Sequence, residues 1–433
     1  MIAGAVRSGL VERFGSPLYV YDLDALRASQ ADLRAALPED FGIYYSLKAN
    51  PHPVIARTLR EVPAPCRAEV CSAGELRSAL EAGYPAGEIL YGGPGKTAVE
   101  IGGALAAGVR RMSVESLSDL RRVGRVATAW GVTVECLLRI NAQAAPSVTS
   151  IRMTGTPSQF GIDAETLPEI AEDLLSTRGT RVVGAHFYPL SNSRDEESLV
   201  AEFRQSIELA ASMQATFGIP MRHLDLGGGF AAPYAAAGDH PVYPKLRMEL
   251  ARAMDVSFPG WRDGSVKAYC ESGRFLAGGC GELLTSVTNV KQSRGSRFLI
   301  MDAGINTFGG MAGLGRMLPL SVDVDVARAS EAAGDVVRAS EAAGDLARGA
   351  EPGRATLTGP LCTPGDLLGR NVLVPDLGEG AIVVIANAGA YGASSGLVNF
   401  LSRPAPAEIF LDGGEVVAAT RQVNSRIDIK DDI

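Results

Sequence analysis

Lys48 stands in "YYSLKANP" (44–51), directly after an apolar aromatic run, Ile43, Tyr44 and Tyr45, that reads as a buried strand. Lysine is scarce here: six of the 41 basic residues, the rest being arginine. An ammonium emerging from such a strand loses hydration, which disfavours its charge, lowers its pKa and leaves a nucleophilic amine. Such an amine suits a Schiff base with an aldehyde, whereas an ordinary lysine passes its head to solvent along its apolar stem. A second stretch, "GGGF" (227–230) straight after "LDL", offers backbone N–H groups without Cβ obstruction, a cradle for phosphate, although glycine-rich turns are common. A third, "CESGR" (270–274), supplies Glu271, a carboxylate able to keep a heterocyclic nitrogen protonated, with Gly273 and Arg274 beside the phosphate. A plain strand-end salt bridge between Glu271 and Arg274 is the alternative.

Taken together, an activated lysine, a phosphate cradle and a carboxylate for a ring nitrogen describe a site for pyridoxal 5′-phosphate. A sugar-phosphate aldolase would use the first two and leave Glu271 without a task.

These residues need a scaffold that gathers strand ends. Between residues 41 and 272 eight short apolar runs recur ("GIYYSL", "RAEVCS", "EILYGG", "RMSVES", "VECLLRIN", "RVVGAHFY", "RHLDLGG", "VKAYCES"), separated by Ala-, Leu- and Glu-rich stretches with helical spacing. Strands alternating with helices imply a parallel sheet, and eight units fit a (β/α)8 barrel of the TIM type, with a doubly wound open sheet as the competitor. The barrel is expected over 25–282. In such a barrel chemistry collects at the C-terminal strand ends, where Lys48, Ser72, "GGPGK" (92–96), Glu115, "RIN" (139–141), "HFYPLSN" (186–192), "GGGF" and "ESGR" all fall. After residue 283 strand-like runs with Gly/Pro turns and little helix predict a β domain over 283–433, which "FGSPLYVYD" (14–22) joins so that 1–24 belongs to it. A period-ten repeat, "RASEAAGD" at 328–335 and 338–345, reads as a low-complexity surface insertion at about 326–350 without a chemical role.

Composition narrows the class. At 433 residues and 46% hydrophobic the chain can bury a large core, and its net charge of −8 with no basic stripe argues against nucleic acid. No apolar run approaches the roughly 20 residues that span a bilayer, and the N-terminal stretch lacks the form of a secretory signal. Six cysteines in so long a chain do not suggest a disulfide framework, and four scattered histidines without a CxxC suggest no metal site. A cytoplasmic enzyme is expected.

From end to end the chain resembles the fold-type III pyridoxal-phosphate decarboxylases, the group of diaminopimelate, ornithine and biosynthetic arginine decarboxylases. "YYSLKANP" is similar to its cofactor-lysine motif, and "EVCSAGEL", "GGPGK", "VESLSDL", "LRIN", "QFGI", "LDLGGGF", "ESGR", "GPLCTPGD" (359–366), "GAYG" (389–392) and "SRPAPAEI" match in order. The resemblance implies an alanine racemase/ornithine decarboxylase-like fold, a barrel with a C-terminal β domain. It implies Lys48 as the Schiff-base residue and Glu271 at the pyridine nitrogen. Gly228, Gly229, Gly273 and Arg274 would surround the phosphate, with Ser191 and Tyr391 adding hydroxyls. Cys362 would protonate Cα from the partner subunit of a homodimer with shared sites.

Three departures bear on substrate. Tyr188 stands where relatives carry a ring-facing His, and an aromatic ring can still stack there; His186 reads as its structural neighbour. Thr363 follows Cys362, where diamine-directed relatives carry an acid for the distal ammonium, and a buried unpaired ammonium would be costly. "DAGINTFGGMAGLGRM" (302–317) runs glycine-rich where diaminopimelate enzymes place an Arg-Pro pair. These features look more like a branch acting on larger conjugates, in siderophore or other specialised metabolism, free or bound to a carrier protein. Thr363, Arg316 and Asp366 are the substrate-side candidates. The alternatives are a diaminopimelate or an ornithine-, lysine- or arginine-type decarboxylase, and a non-catalytic homologue; a racemase fits Cys362 less well.

Overall fold

The chain is described by a computed structural model, which covers residues 2–142, 151–152, 157–312, 321–327, 337–338 and 353–426. Arg316 and most of the duplicated segment lie outside these residues. Two compact units emerge, one of residues 25–232 and 239–277, the other of 2–24, 233–238 and the described residues from 278 on.

The first unit is a closed parallel barrel. Its strands are β1 (Gly42–Ser46), β2 (Arg67–Val70), β3 (Ile89–Tyr91), β4 (Arg111–Val114), β5 (Val134–Asn141), β6 (Thr180–His186), β7 (His223–Asp225) and β8 (Lys267–Ser272). They are bonded in the order β4-β3-β2-β1-β8-β7-β6-β5, and a β4–β5 pairing closes the ring. Parallel strands covered on both faces call for near-continuous apolar runs, and Ile43, Tyr44 and Tyr45 are all buried. One interior layer is formed by Tyr44, Leu90, Leu137, Val183 and Tyr269. In that layer Tyr269 stacks on His223 with ring centroids 4.3 Å apart, and Tyr44 meets Tyr269 at 5.0 Å.

Helices start immediately after the strands because the sequence places caps there. Ser72 accepts a bond from Glu75 N, Ser116 from Asp119 N, and Thr97 forms a reciprocal capping box with Glu100. Several polar residues at the strand ends therefore have structural work. Lys96 of "GGPGK" is another: it is buried, 2.8 Å from Asp119 Oδ2, and donates to the carbonyls of Gly93 and Ser113.

The second unit is built on a ten-stranded sheet. Leu18–Asp22 runs antiparallel to Gly281–Ser293 on one side and parallel to Ala407–Asp412 on the other. Its core packs Leu18, Val20, Leu284, Val384, Ile409 and Leu411. A helix the sequence reading did not anticipate, Gly4–Phe14, is tied to this sheet by buried Arg7, which donates from Nε and Nη2 to the two oxygens of Glu282 at 2.8 and 2.6 Å. Residues 233–238, expected within the barrel, belong to this unit. Asn387 Nδ2 donates to the carbonyls of Ala236 and Gly238, and Tyr234 Oη to that of Tyr391, so their hydrogen bonds lead here. Among the described residues no helix is long and apolar enough to cross a membrane.

Candidate active site

Lys48 occupies the 3-10 turn Leu47–Ala49 that follows β1, a turn braced by a 2.6 Å bond from Tyr45 Oη to the Asn50 carbonyl. Its Nζ lies 3.6 Å from Glu69 Oε2, at the end of β2, and 5.0 Å from the centroid of the Tyr188 ring. Desolvation acts to lower the Lys48 pKa, but Glu69 first, then Tyr188 and Glu271, outweigh it and hold the ammonium well above the ordinary lysine range. This reverses the direction read from the sequence: desolvation acts as expected and neighbouring carboxylates overcome it. Glu69 is itself held, since Cys71 Sγ donates to its Oε1 at 2.9 Å. Burial, followed by Glu69, pushes the Cys71 thiol upward.

Beyond Lys48, three buried groups converge from adjoining strands. His186 ends β6 and Asp225 ends β7 as register partners, and Glu271 lies on β8. His186 Nε2 stands 3.2 Å from Glu271 Oε1, while its Nδ1 is 2.8 Å from Ser113 Oγ. One donor atom from each of His186, Asp225 and Glu271 lies within 4.8 Å of the others, close enough to ligate a cation, a grouping the sequence reading did not anticipate. Burial raises both carboxyls, but His186, then Lys48, bring Glu271 below its ordinary value. Asp225 is raised by burial and by the charge of Glu271. Burial and Glu271 thus push Asp225 up while His186 and Lys48 hold Glu271 down, which makes Glu271 the more readily ionised of the two.

The glycine-rich turn reaches the same place. Gly227 has φ +73, and a Cβ there would stand 2.1 Å from the Phe187 carbonyl. At Gly228 a Cβ would meet Tyr188 Oη and the Glu271 carbonyl at 3.1 Å, and at Gly273 it would meet Ala49 Cβ at 2.6 Å. Ser193, the residue after "HFYPLSN" (186–192), donates from N to Gly229 O at 2.8 Å, tying the end of the segment that includes Ser191 to this turn. Arg274 begins the short helix Arg274–Ala277 beside Gly273. Lys48, Tyr188, Gly228, Glu271 and Gly273 thus gather at one barrel mouth.

The other expected residues belong to the sheet unit. Cys362 is exposed and Thr363 half-buried. Tyr391 has φ +55, and its carbonyl accepts from Tyr234 Oη, Ser395 Oγ and Gly310 N. Asp366, read as a substrate-side candidate, is 3% exposed and accepts from Ile305 N and Leu361 N, at 2.8 and 2.6 Å, so its carboxylate joins two loops.

Sequence reasoning missed Glu69 and Asp225; it placed Glu115 and Arg139 at strand ends without pairing them, and they lie 3.1 Å apart, with Arg139 also 5.8 Å from the Tyr188 ring. Each sits in a motif already singled out by its strand-end position, "EVCS", "LDLGGGF", "VESLSDL" or "LRIN".

Comparison with known proteins gives the class. Residues 23–278 match the pyridoxal-dependent decarboxylase, pyridoxal binding domain, and the chain belongs to that family. It is 31% identical over 94% of its length, and 91% of the relative's, to the L-glutamyl-[BtrI acyl-carrier protein] decarboxylase of Niallia circulans. It is 30% identical, over 91% of its length and 93% of the relative's, to the 2-[(L-alanin-3-ylcarbamoyl)methyl]-2-hydroxybutanedioate decarboxylase of Staphylococcus aureus. Among solved structures, diaminopimelate decarboxylase from Helicobacter pylori complexed with L-lysine aligns with TM-score 0.80 at 25% identity, covering 96% of this chain and 97% of that one.

The enzyme is a carboxy-lyase and its cofactor is pyridoxal 5′-phosphate. The residues present fit that group. Glu271 Oε2 and Asp225 Oδ2 are buried without a hydrogen-bond donor. Such atoms are costly unless a ligand answers them, as a protonated ring nitrogen does.

Proposed function

We propose that this enzyme decarboxylates an amino acid carried on a larger conjugate, free or attached to a carrier protein, in a specialised biosynthetic route such as siderophore assembly. The observation that carries the substrate reading is Thr363. Next to the exposed Cys362 it offers a hydroxyl and no carboxylate, so a substrate ending in a free ammonium finds no counter-charge from that position. Support comes from one relative whose name places its glutamyl substrate on an acyl-carrier protein, and from another whose substrate is an alaninyl amide of a hydroxy-polycarboxylate. Diaminopimelate decarboxylation is the second reading, favoured by similarity to several diaminopimelate decarboxylases, including the Helicobacter pylori structure.

In the mechanism, Lys48 would hold the cofactor through its aldehyde, its amine being the nucleophile at this barrel mouth. Glu271, held below its ordinary value chiefly by His186, would pair with the pyridine nitrogen, with Asp225 beside it. Gly228, Gly229, Gly273 and Arg274 would hold the phosphate, with Ser191 and Tyr391 adding hydroxyls, and the Tyr188 ring would pack beside the cofactor. When bound, the cofactor supplies the electron sink for the pair left at Cα as CO2 departs. Cys362 of the partner subunit donates the proton to Cα, a general-acid step. The enzyme works as a cytoplasmic homodimer.

The test is a panel of free, citrylated and carrier-bound amino acids with product masses recorded. Turnover confined to conjugates is expected, and robust CO2 release from free meso-diaminopimelate would sink the conjugate reading.

A further inference from the structure

We infer that Asp366 is a positioning residue for Cys362, a clamp that holds the cysteine loop against the glycine-rich loop after Asp302. The inference rests on the reading of Cys362 as the Cα proton donor. One carboxylate serves both loops: Oδ2 accepts from Leu361 N at 2.6 Å, the residue before Cys362, and Oδ1 from Ile305 N at 2.8 Å. Its own backbone closes the turn, with Asp366 N donating to Thr363 O and Gly359 N to Asp366 O. Both loops are shaped to admit it. A Cβ on Gly304 would stand 2.2 Å from Asp366 Oδ1, and one on Gly359 2.4 Å from Oδ2. The carboxylate is buried, while Cys362, four residues earlier in the turn it closes, is exposed.

A side chain on which two glycines converge, and whose two oxygens each take one loop N–H, fixes the path of the backbone on either side of it. Holding Leu361 holds the Cα of Cys362. Holding Ile305 holds the segment 304–310, whose glycines let it pack closely, Gly309 against Ser395 and Gly310 against Tyr234. A misplacement of about 1 Å at a reacting group is enough to cost about a hundredfold in a positioned step. Asp366 thus couples the aim of the proton donor to the loop expected to admit the distal part of the substrate, without touching either reactant.

The experiment uses Asp366→Asn, which keeps the shape but turns an NH2 toward one backbone N–H, beside Asp366→Ala and Cys362→Ala. Amide exchange by mass spectrometry on the cofactor-free full chain reads the clamp. Leu361 and Ile305 should exchange about tenfold to a hundredfold faster in either Asp366 variant, the loss of a charge-assisted hydrogen bond, with the strand Gly281–Ser293 unchanged. In the loaded enzyme the product reads the donor. A proton taken up on the cofactor side of the C–N bond instead of at Cα would, after hydrolysis of that bond by one water, leave the amino group on the cofactor and the former Cα as an aldehyde in place of the amine. Asp366→Asn should raise the aldehyde fraction toward that of Cys362→Ala, with KM nearly constant. Unchanged exchange at both amides overturns the clamp. Faster exchange with an unchanged aldehyde fraction overturns the positioning role. If Cys362→Ala itself releases no aldehyde, the proton-donor reading is what falls, and the positioning inference falls with it.

Discussion

Replacing Glu69 with glutamine removes one charge from beside Lys48 and leaves the shape intact, since the amide oxygen can still accept the bond from Cys71 Sγ. Two unit charges 3.6 Å apart attract by about 1 kcal/mol in water and about 4–5 kcal/mol at an effective dielectric of about 20. The Lys48 side chain is 35% exposed and that of Glu69 4%, so solvent screens the pair. The lower half of the range, about 1–2.5 kcal/mol, therefore applies. At about 1.4 kcal/mol per unit, the Lys48 pKa falls by about 1–2 units in Glu69→Gln. Tyr188 and Glu271 remain and continue to hold it up.

The neutral amine captures the aldehyde, and well below the pKa its fraction rises about tenfold for each unit of decrease. Cofactor-stripped Glu69→Gln should therefore take up pyridoxal phosphate at neutral pH about ten to a hundred times faster than the parent. The assay is stopped-flow growth of the borohydride-sensitive visible absorbance between pH 6.5 and 9. Linkage gives an independent check on the sign. The pair's stabilisation is fully present below the ordinary lysine value and is lost as pH rises through the raised folded value, so the parent should lose an alkaline stability increment that the variant lacks. Uptake that is unchanged or slower in a variant of parental melting temperature would refute this account of Lys48.

Glu408 is buried, and burial, against a 3.1 Å bond from Tyr21 Oη, pushes its carboxyl from the ordinary 4.5 to about 7. The folded state is thus penalised once pH rises above 4.5, fully so above 7. Glu408→Gln should add about 3 kcal/mol at pH 8 and little at pH 4.5, and equal gains by denaturant titration at both pH values would contradict the assignment. Arg7→Ala strands Glu282 in the sheet interior and should cost about 3–5 kcal/mol, while Arg7→Met with Glu282→Leu should recover most of it in the same titration. Lys48→Ala should abolish the visible absorbance, whereas Cys362→Ala keeps it. If sites are shared across a two-fold dimer, mixing those two variants, neither of which forms the amine efficiently, should restore about a quarter of parental amine formation through hybrids with one intact site, and a mixture that forms no more amine than its parts argues against shared sites.

What could be read along the chain is what local pattern encodes. The eight apolar runs became the eight barrel strands because strands covered on both faces need unbroken burial, and Ser72, Thr97 and Ser116 start helices where capping chemistry says they should. Lys48 was legible for the same reason: an amine after an aromatic strand is anomalous wherever it occurs. Its charge state was not, because that depends on Glu69 in the neighbouring strand and on Glu271 across the closure of the ring. No local pattern states that His186 and Asp225 are register partners, yet that register puts an imidazole and a second carboxyl beside Glu271 and moves the two carboxyls in opposite directions. Asp366 shows the converse. A motif comparison marks it as part of the cysteine loop, and a carboxylate in such a loop invites a substrate contact. Only the glycines at 304 and 359, far apart along the chain and meeting on its two oxygens, reveal that this charge faces backbone. Chemistry at this site is written in residue types, and its electrostatics in the register between strands. A substitution that shifts register by one residue would therefore change the protonation of the site while leaving every motif in place.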